Sequence, residues 1–390
     1  MVRRRFWLEM VERAWRAKSV VWLAGVRRSG KTVLARQLGR VRYFDCESPR
    51  VRRECADPEA FLASQKTGRV VLDEVHRLDN PSELLKLAAD HFPGVRLLAT
   101  GSSTLGASRK FRDTLAGRKA VVWLTPMAGR DLVEFRGADL NRRMVRGGLP
   151  SFFLSKGIPE ASFQDWMDAY WAKDIEELFR LERRSSFQKF TELIMARSGG
   201  LFEGTEFART CEINRATALN YLAVLEQTFV AHVVRAYSTR KTNEILASPK
   251  VYGFDTGFVC YYRGVGRLAP EDAGRLWEHL VLNELHAGLQ TRRINHWRDK
   301  KGHEVDFVLP IRGGPPVAIE CKWTSANADL SGLAAFARRY PEARLVLAAG
   351  DGGRAVRRSE AFGEVVAVGL HELIRHVRTV ARGLIVSQFA

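Results

Sequence analysis

The sequence predicts an α/β chain in three parts, on three observations. A short apolar strand runs into the glycine-rich loop GVRRSGKT at residues 25–32, followed by a helical stretch and further apolar strands that end in acidic or polar residues. The middle of the chain reads helix, turn, helix, strand. The last third reads α-β-β-β-α-β, with an aspartate on its second strand and Glu-x-Lys on its third. The expected division is a phosphate-loop domain with a parallel sheet at 1–150, a mostly helical winged-helix region at 151–262, and an α/β sandwich at 263–390.

Composition bounds what such a chain does. Its 390 residues are enough for more than one core. No run approaches the roughly 18 apolar residues of a membrane span, and the basic N-terminus has no apolar signal core. The five cysteines form no CxxC pair, which argues for a reducing, cytoplasmic setting. A net charge of +18 favours a polyanionic partner, because cations placed on phosphates release condensed counterions. An arginine-rich composition with solvated charge is the alternative.

In the first third, SVVWLAG (19–25) reads as a buried strand, and the loop after it satisfies GxxxxGK[ST]. Gly25 and Gly30 let the backbone curl so that its N–H groups face a phosphate. Lys31 is placed on the β/γ oxygens of ATP and Thr32 on Mg²⁺, with Arg28, Ser29 and Val33 completing the nucleotide contacts. The strand RVVLDEVHRL brings Asp73 to the metal shell and Glu74 to the attacking water as general base. VRLLATGSS (95–103) ends in Thr100 and Ser102, either of which is a candidate γ-phosphate sensor. A helical segment is expected over 104–116. Arg118, before the strand 120–124, is a candidate arginine finger for a neighbouring subunit's nucleotide, ahead of Arg109 and Arg112. A solvated surface arginine is the competing reading.

These elements carry a resemblance. Residues 15–135, in the order phosphate loop, RYFDCES strand (42–48), LDE strand, TGSS strand and AGR, resemble AAA+-type ATPases. They are similar in particular to the bacterial and archaeal subset that carries an uncharacterised C-terminal domain. GGLP (147–150) and SPKVYGFDTGFVCYY (248–262) resemble further motifs of that subset. The resemblance implies a homo-oligomeric ring, often a hexamer, with ATP between subunits.

In the middle, TEFARTCEINRATALNYLAVLEQTFVAHVVRAY reads as a helix from Thr205, a turn at 212–214, a longer helix capped by Asn214, and a strand. That is the winged helix-turn-helix order, whose second helix enters the major groove of DNA. Arg215, Thr217 and Asn220 are then the DNA-facing side chains, with Arg235, Arg240 and Lys241 on the wing. A protein-binding module or lid is the other reading. Asp255 is expected to be a turn or cap residue.

In the last third, Glu320 and Lys322 stand two apart on one strand and so share a face. Asp306 joins them from the adjacent strand, and Glu278 from the preceding helix adds a third carboxylate. Two or three carboxylates suit Mg²⁺ or Mn²⁺. Lys322 would orient the water and steady charge on a scissile phosphate. The pattern resembles the PD-(D/E)xK restriction-endonuclease-like superfamily, with Val305 in place of the proline. A purely structural ion cluster is the alternative. The whole predicts an ATP-hydrolysing, DNA-acting enzyme with a nuclease-like C-terminal domain. Its rivals are a motor that grips DNA without cutting and a slow ATP-dependent switch.

Overall fold

The structure is a computed structural model that describes residues 2–104, 115–137, 139–157, 160–179, 181, 183–239 and 247–381. The 104–116 segment therefore lies almost wholly outside the described residues, as do Arg109, Arg112, Arg240 and Lys241. Five strands, β1 (Val20–Ala24), β2 (Val41–Asp45), β3 (Gly68–Asp73), β4 (Val95–Gly101) and β5 (Lys119–Trp123), form a parallel sheet in the order β2-β3-β4-β1-β5. β1 lies between β4 and β5 and is buried along its whole length, which explains why it reads as a continuous apolar run. Alternation sends Val20, Trp22 and Ala24 into one layer and Val21 and Leu23 into the other. The second layer is covered by the N-terminal helix Arg5–Ala17 through Trp7, Val11 and Trp15.

The remaining strands join in one sheet. They are β6 (Gly200–Leu201), β7 (Ala231–Ala236), β8 (Lys250–Gly253), β9 (Asn295–Arg298), β10 (Glu304–Leu309), β11 (Val317–Lys322), β12 (Arg344–Ala349), β13 (Val356–Glu360) and β14 (Gly363–Val368). Their order is β13-β14-β12-β11-β10-β9-β7-β8-β6. The helices Gly204–Thr210 and Arg215–Gln227 precede the antiparallel β7–β8 pair, and β6 pairs with β8. A parallel pairing of β7 with β9, Arg235 opposite Asn295, fuses this part to the last third. The sheet thus runs straight across the boundary expected at 262/263. β13, β14 and the helix Leu370–Val380 extend the α-β-β-β-α-β core beyond what was read from the sequence.

Two joints hold the front and back together. Helix Pro270–Leu289 packs on β11 and also reaches the end of β5. There Gln290 Oε1 accepts from Trp123 N at 2.8 Å, Asn283 Nδ2 donates to Pro126 O at 3.2 Å, and Glu284 Oε2 accepts from Gly129 N at 2.8 Å. The second joint unites the two motifs 147–150 and 248–262. Asp255 caps helix Thr256–Arg263 through Gly257 N and also accepts from Gly148 N at 2.5 Å. Gly147 has φ +79°, and a Cβ there would lie 1.9 Å from Asp255 Oδ1, so the close approach requires glycine.

Candidate active site

The phosphate loop leaves β1 at Ala24 and enters helix Lys31–Arg36. A Cβ at Gly25 would fall 2.3 Å from Leu124 O, and Gly30 has φ +99°, so both glycines are required by geometry. Lys31 Nζ donates to Gly25 O at 2.9 Å and to Val26 O at 3.3 Å. Burial lowers its pKa, opposed by Glu74 and Asp174. Ser29 is buried with its Oγ unpartnered, while its carbonyl accepts from Arg4 Nη1 at 2.8 Å. Arg4 is itself held by both oxygens of buried Asp131, at 2.8 Å each. Arg28 in the loop and Val33 in the helix after it are exposed.

Register places the acidic pair against this loop. Asp73 ends β3 beside β2 and accepts three hydroxyls: Thr32 Oγ1 at 2.8 Å, Tyr43 OH at 2.6 Å and Thr100 Oγ1 at 2.6 Å. Glu74 is turned by a left-handed backbone, φ +52°, and its N–H donates to Thr100 Oγ1 at 2.9 Å. Such a conformation in a non-glycine residue costs energy and collects at functional sites. Burial raises the pKa of Glu74, with Lys31 opposing. Thr100 thus orients the acidic pair. Ser102 donates instead to Asp174, which also receives Arg27 Nε at 2.7 Å. Arg118 sits before β5, at the opposite end of the sheet from its own loop, and pairs with Asp90 at 2.7 Å.

The C-terminal carboxylates also gather. Asp306 Oδ2 accepts from Cys321 N at 2.8 Å, and Glu320 pairs with Lys322 at 2.8 Å. Glu320 Oε2 is buried with no hydrogen-bond partner. Burial, then Glu278 and Glu320, raise the pKa of Asp306, and burial pushes Glu320 up to about 7 against Lys322. Among them stands Lys250, delivered by β8 and 7% exposed. Its Nζ lies 3.0 Å from Glu278 Oε1 and 3.9 Å from Asp306 Oδ1, and it also pairs with Glu304. Tyr252 OH donates to Glu278 as well. Glu278 is therefore engaged by Lys250 and Tyr252 rather than open beside Asp306 and Glu320. Among the described residues no three or more His, Cys, Asp or Glu side chains are grouped to hold a metal ion.

Of the residues expected to face DNA, Arg215 and Asn220 are exposed on helix Arg215–Gln227 and Thr217 is half-buried. Asn214 caps the helix by accepting from Thr217 N at 2.7 Å. Arg235 lies on β7, 4.0 Å from Glu226.

Several partners escaped sequence reasoning. Glu304 carried a signal, since it stands two before Asp306 on one strand. Arg4, Tyr43, Asp174 and Lys250 carried none, because tertiary pairing alone brings them to these sites, and Arg27 stood inside the loop motif with no sign of its pairing to Asp174.

Comparisons with known proteins match three stretches of the chain. The family described as AAA domain matches residues 17–133. Two domains of unknown function, DUF8612 and DUF4143, match 137–269 and 273–370. Uncharacterized proteins of Mycobacterium bovis and Mycobacterium tuberculosis are each 30% identical over 337 residues, covering 83% of this chain and 75% of theirs. An uncharacterized protein of Haemophilus influenzae is 21% identical, covering 67% of this chain and 73% of its own. Among solved structures, the Walker-type ATPase PABY2304 of Pyrococcus abyssi is 16% identical with a TM-score of 0.44, over 67% of this chain and 96% of that one. The Bacillus subtilis DNA clamp loader delta protein is 13% identical with a TM-score of 0.28, over 72% and 92%.

Proposed function

The chain belongs to the family of these two mycobacterial proteins and carries an AAA-type ATPase domain, and from that premise we propose that it hydrolyses ATP to act on DNA. The observation that carries the ATP half is the convergence of Lys31, Thr32, Asp73 and Glu74 at the ends of β1 and β3. Thr32 Oγ1 and Asp73 Oδ2, 2.8 Å apart, are hard oxygen donors that fit Mg²⁺. The ion, when bound, supplies charge compensation on the phosphates. Lys31 leaves the loop carbonyls for the β/γ oxygens. Glu74, held in its strained turn by Thr100, takes the proton of the attacking water. Arg118 would act only on a neighbouring subunit, in a homo-oligomeric ring for which a hexamer is favoured. Its position away from its own loop is compatible with that role.

The DNA half rests on element order and charge. Two helices, a short β6 strand and the β7–β8 hairpin follow the winged-helix plan. Arg215 and Asn220, with Thr217 beside them, face outward on the second helix, Arg235 stands on the strand leading to the wing, and net charge is +18. No helix among the described residues is long and apolar enough to cross a membrane. All five cysteines are free and buried, which supports a cytoplasmic setting.

For the C-terminal region the nuclease-like reading is supported by the shared face of Asp306, Glu320 and Lys322. The unpartnered Glu320 Oε2 and the Asp306 carboxylate fit a Mg²⁺ or Mn²⁺ ion, while Glu278 is paired with Lys250 through Oε1. Such an ion would activate water and steady phosphate charge. Lys322, paired with Glu320, stands ready to meet the scissile phosphate. The second reading, a domain that grips DNA without cutting, is favoured by Lys250, which already pairs with three carboxylates.

Labelled single-stranded, duplex and four-way-branched DNA, incubated with Mg²⁺ or Mn²⁺ with and without ATP, separates these. Cleavage lost in Asp306→Ala establishes the nuclease. Intact DNA bound or remodelled only with ATP establishes the gripping motor. ATP turnover indifferent to DNA would instead indicate a slow switch.

A further inference from the structure

Asp174 belongs to none of the phosphate-loop motifs, yet it faces the loop from the middle of the chain. It lies in a single π-turn, Trp171–Ile175, between helix Glu160–Tyr170 and helix Glu176–Phe179. Turns of that kind recur at functional sites. Its side chain is only 1% exposed. One oxygen accepts from Arg27 Nε at 2.7 Å and the other from the Ser102 hydroxyl. Arg27 is part of the loop itself, and Ser102 follows the end of β4 at the position expected to sense the γ-phosphate. The same helical run holds the loop a second time, through Trp166 Nε1 to Arg27 O at 3.2 Å. The charges of Arg27 and Asp174 both reach Lys31 and Glu74, so the pair lies in the field of the groups that handle phosphate and water.

We infer that Asp174 is a positioning residue of the ATP site, and the contact through which nucleotide state passes to the middle region. The inference rests on the ATPase reading above and names how that site is coupled. Arg27 and Ser102 are here satisfied by a carboxylate. A bound triphosphate presents the same two donors with more negative charge and more acceptor oxygens, and a guanidinium pairs with phosphate in the same forked geometry as with carboxylate. Phosphate therefore competes with Asp174 for both partners. Once they transfer, Asp174 is a buried anion beside further negative charge, an arrangement that buried carboxylates strongly resist. The π-turn is where this is relieved, because an extra residue in a turn can be lost through a shift of the following helix. Helix Arg184–Ala196 follows and packs on helix Arg215–Gln227 and β8, so movement of 160–179 is passed to the expected DNA-facing surface. Phosphate release returns Arg27 and Ser102 to Asp174. The latch is closed without a γ-phosphate and open with one.

Hydrogen exchange of the full chain, with and without a non-hydrolysable ATP analogue and Mg²⁺, tests this. In the wild type the analogue should protect the 25–36 amides and speed exchange across 160–179 by about tenfold, as expected when a local contact is released. In Asp174→Asn, 160–179 should exchange at the fast rate whether or not the analogue is present, and Asp174→Glu should restore the response. Arg27→Gln removes the same contact from a partly exposed side chain, and should match Asp174→Asn if that variant folds poorly. A protected loop with 160–179 unchanged in the wild type overturns this inference alone. A loop that stays unprotected overturns the ATP reading and this inference with it.

Discussion

At the scale of the residue, Asp73 shows how an acid is aimed. Three hydroxyls donate to it, so each oxygen has a fixed direction before any cation arrives. Lys31, by contrast, bonds two loop carbonyls that phosphate oxygens can replace. Lys31→Ala should therefore lower kcat for ATP by about 10²–10³-fold, the loss typical of one electrostatic donor at a reacting oxygen, read as steady-state phosphate release. Normal turnover in that variant would remove the site assignment. These residues were legible because one short motif holds Lys31 and Thr32, and Asp73–Glu74 end a strand whose apolar run is plain. Asp174 was not. It sits in AKDIEEL, where an acid reads as one more polar helix position, and only the fold brings it to Arg27 and Ser102.

At the scale of the element, strand β8 and helix Pro270–Leu289 do more than their patterns announce. β8 carries Lys250 into the carboxylates of β10 and of that helix. Removing one partner of a buried ion group leaves the others uncompensated, at about 3–5 kcal/mol. Lys250→Met should accordingly lower denaturant stability by that order at pH 8. The loss should shrink towards pH 5, where the stranded carboxylates take up protons. An equal loss at both pH values would mean the lysine only packs. The helix supplies a second titration. Burial raises Glu284 from its ordinary 4.5 to about 7, with Gly129 N–H opposing. Its folded pKa lies above the unfolded one, so the stability it contributes is full below about 4.5 and is lost as pH rises through about 7. Glu284→Gln removes that loss. The variant should equal wild type near pH 4.5 and exceed it by about 2–3 kcal/mol above pH 7.5 in denaturant midpoints. Wild type more stable than the variant at high pH would show that the carboxylate is needed in charged form.

At the scale of the whole molecule, the three parts meet at specific joints. Period and motif disclosed the parallel sheet and the α-β-β-β-α-β order because most of these strands carry apolar runs between turn signals. They could not disclose the β7–β9 pairing that merges the middle and last parts, since backbone pairing between distant strands leaves no mark on composition. Nor could they show Asp255 closing onto Gly148, although both motifs were visible separately. A molecule joined this way should couple its two ligands. If ATP state alters the middle region, an ATP analogue will change duplex affinity, and an effect of about 5–150-fold is typical of such coupling. Linkage requires DNA to change affinity for the analogue by the same factor, because the two orders of binding reach one complex. Both arms can be read by fluorescence anisotropy and titration calorimetry at one fixed salt concentration, since phosphate contacts make DNA affinity steeply salt-dependent. Arg215→Ala should weaken DNA binding while leaving the coupling factor unchanged, because it touches the ligand and not the joint. Arg27→Gln should do the reverse, keeping intrinsic DNA affinity and bringing the factor towards one. Equal affinities with and without the analogue in the wild type would mean that the joints hold the parts together mechanically without linking their equilibria.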